Sequence, residues 1–244
     1  MGAGMASKSN ACAGLVIAID GPAGAGKSSV ARLLAQQLQF EFLDTGALYR
    51  CVTLAVLQAQ LEPRDEAAVA TLAGQLQIEL SGECVRLNGQ DVSQAIRSLE
   101  VACAIGAIAD NMEIRKQLTH WQRAWTTGRR VVTEGRDQGS EVFYDSPCKI
   151  FLVASSEERA RRRVRELQQR GIDADYQSVL EAQNQRDQED RQRVVGGLRR
   201  ATDAIEFCTT GLTLEAVVAE LLQLVTQRVG TSRLRECRVP HATH

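Results

Sequence analysis

The feature that most constrains this chain is the passage from an apolar run, Leu15–Ile19, through Asp20 into Gly21-Pro-Ala-Gly-Ala-Gly-Lys-Ser28. Val30, Leu33, Leu34 and Leu38 then recur at helical spacing, which predicts a helix from Lys27 to about Gln39. Strand, glycine-rich turn and helix in that order leave little freedom. The helix must start with its first N–H groups unsatisfied, and the turn must fold around whatever satisfies them. The segment matches GxxxxGK(S/T) at every fixed position. Its glycines let successive N–H groups converge on phosphate oxygens where a Cβ would obstruct them, and the helix dipole adds attraction. Gly21, Pro22, Ala23, Gly24, Ala25, Gly26, Lys27, Ser28 and Ser29 are therefore expected to hold the phosphates of a nucleoside triphosphate. Lys27 would reach the β- and γ-phosphates, and the Ser28 hydroxyl is the expected Mg2+ ligand.

The rest of the chain alternates between helical and extended patterns. A second helix is predicted from after Gly46 to about Gln60 and another over Arg115–Trp125, with strands at Arg129–Thr133 and Lys149–Ala154. Ser155 caps a helix that runs to about Arg170 and stops at Gly171. A long polar helix Tyr176–Arg193, a short strand Ala204–Phe207 and an amphipathic helix Leu214–Arg228 follow. This pattern predicts an α/β, three-layer P-loop fold with a parallel sheet covered on both faces. Residues 62–109 read differently. Pro63 breaks the second helix, Asp65–Leu76 returns to helical spacing, and Gln77–Leu80 and Glu83–Leu87 flank Ser81-Gly82 as a hairpin. Asn88-Gly89 is a further turn signal, and Ser98–Ala109 is helical and rich in small residues. We read 62–109 as an insertion between core segments 14–61 and 110–229.

The formal net charge of -1 gives no global field toward nucleic acid or a membrane surface. No apolar run is long enough to span a bilayer. Residues 1–13 lack the basic head and apolar core of a secretory signal and read as a disordered extension, and 230–244 as a loose tail. The seven cysteines are scattered with no CxxC pair, which suits small buried hydrophobes in a reducing cytoplasm rather than disulfides or a zinc site.

A P-loop alone is shared by kinases, switches, motors and transporters. A hydrolase needs a residue that positions water; a nucleotide kinase needs cations around a second anion. Arg136, in Glu134-Gly-Arg-Asp137 just past a predicted strand, lies where open α/β sheets bind ligands. Arg50 follows Asp44-Thr-Gly46, and Arg186, Arg191 and Arg193 cluster late with Asp187 and Asp190 between them. The planar guanidinium binds phosphate bidentately and stays charged, so this pattern favours transfer to a second phosphate.

The chain resembles the bacterial cytidylate kinases, the (d)CMP kinases among the P-loop nucleoside monophosphate kinases. The resemblance lies in Ile19-Asp-Gly-Pro-Ala-Gly-Ala-Gly-Lys27, Asp44-Thr-Gly-Ala-Leu-Tyr-Arg50, Gly135-Arg-Asp137, Ala154-Ser-Ser-Glu-Glu-Arg159 and Arg186-Asp-x-x-Asp190-x-x-Arg193, in order from about Leu15 to Arg228. It implies that the insertion binds the monophosphate and that 186–197 forms a lid. It further implies that Arg50, Arg136 and Arg193 hold the CMP phosphate, that Arg186 and Asp190 meet its ribose, and that Thr45, Arg115 and Asp137 lie at the acceptor site. By this resemblance Lys27, Arg136, Arg186 and Arg193 form the catalytic set. ATP is the donor with Mg2+, and CMP or dCMP the acceptor, in a cytoplasmic monomer with no nucleic-acid or membrane partner. The alternatives are a small kinase for another monophosphate or an alcohol such as shikimate, and a P-loop switch.

Gly106 stands where many family members carry a base-contacting Ser, Gly197-Leu198 replaces Pro-Leu, and Cys208 replaces Asp. Glu134 stands where Asp is frequent and is weighed as an outer-sphere Mg2+ partner against a structural carboxylate. The run Arg159, Arg161, Arg162, Arg163 and Arg165 reads as a solvated face, the alternative being that one or two members reach the donor phosphates. Trp121 and Trp125 read as packing residues and Asp20 as a structural carboxylate.

Overall fold

The structure, a computed structural model, describes residues 14–235 apart from 83 and 170. In chain order it contains β1 (Leu15–Asp20), α1 (Lys27–Leu38), β2 (Glu41–Asp44), α2 (Thr45–Gln58), α3 (Glu66–Ala73), β3 (Ile78–Ser81), β4 (Cys84–Leu87) and β5 (Gln90–Asp91). These are followed by α4 (Leu99–Asp110), α5 (Met112–Thr126), β6 (Arg130–Gly135), β7 (Cys148–Val153), α6 (Ser156–Gln169), α7 (Tyr176–Gln192), β8 (Ile205–Cys208), α8 (Leu214–Val229) and α9 (Thr231–Arg235).

The expected α/β architecture is present as a five-stranded parallel sheet in the order β2-β6-β1-β7-β8. Strand β1 lies at its centre. From β1 the chain leaves toward β2, and from its neighbour β6 it leaves the opposite way toward β7, which opens a crevice at the carboxyl ends of these two strands. The register sets Asp20 opposite Gly135, and Asp44 opposite Glu134. The P-loop and the Glu134–Asp137 turn therefore leave the sheet side by side.

The main core interleaves Ile17, Ile19, Val132, Ile150 and Leu152 from the strands with Val30 and Leu34 of α1 and Val218, Leu221 and Val225 of α8. A second cluster joins Leu48, Val52 and Val56 of α2 to Val69 of α3, Ile108 of α4 and Ile114 and Leu118 of α5. A third packs Ala47, Cys51 and Leu54 of α2 against Val85, Leu87, Ile96 and Val101. Helix α2 is thus covered on several sides, which explains its apolar character.

Residues 78–91 form a separate antiparallel sheet, β3-β4-β5. Asn88 and Gly89 both have positive φ, at 50° and 80°, and turn β4 back into the short third strand. Strands β2 and β5 were not anticipated. In β2 only Leu43 is fully buried and the strand is four residues long, too short for an alternation to register. Helix α2 starts at Thr45, ahead of the predicted start, because the Asp44 carboxylate accepts from Ala47 N at 2.9 Å.

The segment expected to be loose after 229 begins with α9, whose Leu234 packs on the main core while the Arg130 guanidinium donates to the Leu234 carbonyl. Residues 236–244, and the extension read at 1–13, lie outside the described residues. Cys51 and Cys148 are buried as expected, but Cys103 and Cys208 are exposed. Trp121 and Trp125 stack with ring centroids 6.1 Å apart. No helix among the described residues is long and apolar enough to cross a membrane.

Asn111 ends α4 and caps α5 in one residue. Its side-chain oxygen accepts from the N–H groups of Glu113 and Ile114, and its amide donates to the Glu66 carbonyl at 3.2 Å. Because Asn111 is buried, Asn111→Ala removes a cap and strands these groups. A loss of about 1–2 kcal/mol, measured by urea unfolding, is expected.

Candidate active site

The P-loop is fixed from outside so that its N–H groups can point inward. Arg159 donates to the Ala23 carbonyl at 2.9 Å, and Thr209 to the Ala25 carbonyl at 3.3 Å. Arg159 is itself buried and paired with Asp187 of α7 at 2.7 Å. A Cβ on Gly21 would lie 2.2 Å from the Leu152 carbonyl, so only glycine lets the loop pass β7 this closely. Gly26 has φ 88° and opens α1, leaving the first N–H groups of the helix without a side-chain cap. Pro22 and Ala25 are buried, Gly24 and Ser28 are exposed, and Ser29 lines an open hollow with Arg32, Gln36 and Leu214.

Lys27 is buried at the mouth of the loop with its Nζ on the Pro22 carbonyl at 2.8 Å. Burial, and next the positive charge of Arg136, push its pKa down to about 7, against the pull of Glu134, Asp20 and Asp190. The Ser28 hydroxyl donates to Glu134 Oε1 at 2.7 Å, and Thr45 donates to the Glu134 carbonyl at 2.7 Å. A serine hydroxyl and a carboxylate side by side are hard oxygen donors, the set that suits Mg2+.

Asp20 is buried and accepts from Gln138 N at 2.8 Å and Gly139 N at 2.7 Å. Burial raises it to about 7 while these two N–H bonds pull the other way. Both of its oxygens are taken by backbone, which makes it a structural carboxylate. It anchors a five-residue π-helical turn, Gln138–Val142, directly after Asp137.

Beyond this turn the arginines gather. Arg136 donates to Asp190 Oδ2 at 2.7 Å, and Arg193 to Asp190 Oδ1 at 2.7 Å and to Asp110 Oδ1 at 2.7 Å. Arg50 and Arg186 have no ion pair among the described residues. Desolvation, then the like charges of Arg136, Arg50 and Arg193, lower the pKa of Arg186, although its side chain keeps considerable exposure. Four guanidinium groups thus share one neighbourhood. Beside them Arg115 pairs with Asp137 in a closely held, buried contact, donates to the Ala109 carbonyl at 3.1 Å, and sits 5.8 Å from the centre of the Tyr49 ring. Burial raises the Asp137 pKa, and Arg115 opposes the rise.

The family model described as cytidylate kinase matches residues 17–227. A cytidylate kinase of Rhodopirellula baltica is 50% identical over 89% of this chain and 95% of its own length. One of Geobacillus thermodenitrificans is 43% identical over 88% of this chain and 98% of its own, and one of Carboxydothermus hydrogenoformans 45% over 86% and 96%. The chain belongs to the cytidylate kinase family. Membership in a family of nucleoside monophosphate kinases makes it a phosphotransferase and implies ATP as the phosphoryl donor.

Of the residues anticipated from the sequence, Arg136 and Arg193 meet at Asp190, Arg115 pairs with Asp137, and Ser28 and Thr45 both bond Glu134, while Ser28 and Ser29 line the hollow on α1. The basic run departs from a uniformly solvated face. Arg159 is buried, and Arg162 bonds the Thr209 hydroxyl and carbonyl at 3.2 and 2.8 Å, while Arg161, Arg163 and Arg165 are exposed. Thr209, Asp187, Asp110 and Glu141 were missed. Only Asp187, between Arg186 and Asp190, carried a signal in its spacing.

The depressed Lys27 pKa has a measurable consequence. In the free protein Lys27 is mostly neutral at about pH 8, and a bound triphosphate restores its charge, so binding takes up a proton and weakens as pH rises above about 7. Calorimetry of ATP binding in buffers of different ionisation enthalpy should show uptake approaching one proton at about pH 8. Lys27→Met should abolish it, and an unaltered uptake in that variant would assign the proton elsewhere.

Proposed function

We infer that the protein transfers the γ-phosphoryl group of ATP to CMP or dCMP, giving ADP and (d)CDP. The observation that carries this reading is the buried Arg115–Asp137 pair beside the arginine cluster, on the turn that leaves the sheet next to the P-loop. Asp137 can accept from the exocyclic amine of cytosine while Arg115 donates to its carbonyl edge, a pairing that uracil cannot reproduce. A buried polar group left unmatched makes such discrimination large.

The reaction needs no protein nucleophile, because the acceptor phosphate attacks directly. Lys27 and the P-loop N–H groups hold the donor phosphates; Arg50, Arg136 and Arg193 hold the acceptor phosphate, and Arg186 and Asp190 meet its ribose. Neutralising several negative charges brought together in the transition state accounts for most of the catalysis. Mg2+, when bound, would supply further charge neutralisation, with Ser28 as ligand and Glu134 as its hydrogen-bonded partner. In this reading 62–109 is the monophosphate-binding insertion and 186–197 a lid whose closure excludes water. The enzyme acts as a cytoplasmic monomer.

Coupled ADP production with CMP, dCMP, UMP, AMP and GMP tests the acceptor. CMP and dCMP should lead, and consumption of ATP independent of any acceptor would favour a P-loop switch instead. Asp137→Ala should lower kcat/KM for CMP about a hundredfold or more while leaving ATP binding nearly intact. Gly106 faces open space, with no neighbouring atom within 4 Å of the point where a Cβ would stand. Gly106→Ser should therefore fit, and lower the KM for CMP by about two- to fivefold if the new hydroxyl reaches the base.

A further inference from the structure

Glu141 has no part in the chemistry above, yet it touches the lid. It stands in the π turn after Asp137, its own N–H donating to the Asp137 carbonyl at 2.8 Å. Both of its carboxylate oxygens accept from Gly196 N at 3.0 Å. Gly196 has φ 66°, and a Cβ there would fall 1.6 Å from Arg115 Nη2. Only glycine lets the backbone lie against that guanidinium. The other end of the same turn is pinned where Leu198 N donates to the Asp190 carbonyl at 2.7 Å. The segment 193–198 is thus tied at both ends, through Arg193 and Leu198, to Asp190, the residue that gathers the phosphate-side arginines. Between them Glu141 holds Gly196, which covers the Arg115 of the pair that reads the base.

Glu141 is exposed and fills no part of the core. Without it, water can satisfy Gly196 N, so the fold loses little. The wall over Arg115 is what goes. We propose that Glu141 is a positioning residue for acceptor discrimination, latching the lid turn onto Arg115 so that the base is read in a closed site. This rests on the reading of CMP as acceptor.

Two readouts test it on the full-length enzyme. In Glu141→Ala the amide of Gly196 should lose protection from hydrogen exchange while that of Leu198 keeps it. The kcat/KM preference for CMP over UMP should fall about tenfold, through KM for CMP, with KM for ATP unchanged. Glu141→Gln, which retains an acceptor oxygen, should recover most of the preference. An unchanged preference overturns the proposal, as does joint loss of protection at Gly196 and Leu198 with a lowered unfolding midpoint, the mark of a merely structural residue. A wild-type enzyme with no preference for CMP would sink the acceptor assignment instead, and Gly196 protection measured without any acceptor still decides whether the latch exists.

Discussion

The carboxylate of Asp20 holds the two halves of the crevice in one frame. It closes β1, the residue after it begins the P-loop, and its two oxygens take the N–H groups of Gln138 and Gly139. The turn so anchored begins with Arg136 and Asp137 and continues to Glu141. Donor side and arginine side are therefore referenced to a single group, over a distance set by the spacing of adjacent strands. Its burial is costly, as the rise of its pKa to about 7 shows, and the two N–H donors offset that cost. Such an arrangement trades stability for position.

The same trade runs through the ion pairs. Arg159 with Asp187, Arg115 with Asp137, and Asp190 with Arg136 and Arg193 are buried or half-buried. Pairs of this kind contribute little net stability compared with apolar packing. What they contribute is geometry. Arg159 fixes the carbonyl side of the P-loop to α7, the helix that carries Arg186 and Asp190.

The P-loop was legible because phosphate dictates both its residue types and their spacing, and the strands at its flanks were legible because both faces are buried. Strand β2 was not, since a four-residue edge strand with one buried leucine leaves no pattern. Within the basic run, helical spacing alone could not single out Arg159, because its burial depends on Asp187 and Ala23, which come from distant parts of the chain. Glu141 is harder still. It meets a backbone N–H 55 residues away, and a backbone partner leaves no trace in residue type beyond the glycine that makes room for Arg115.

Asp190 is shared by Arg136 and Arg193, and Asp110 also takes Arg193. If the crevice takes the acceptor phosphate as proposed, that phosphate exchanges with carboxylates already on Arg136 and Arg193. The two carboxylates offset part of the repulsion among the arginines, which is still felt at Arg186. Since Arg193 follows the last residue of α7 and Asp110 ends α4, the pair between them ties those two helices together. If the acceptor binds there, the ionic exchange that admits it also loosens the tie between α4 and α7.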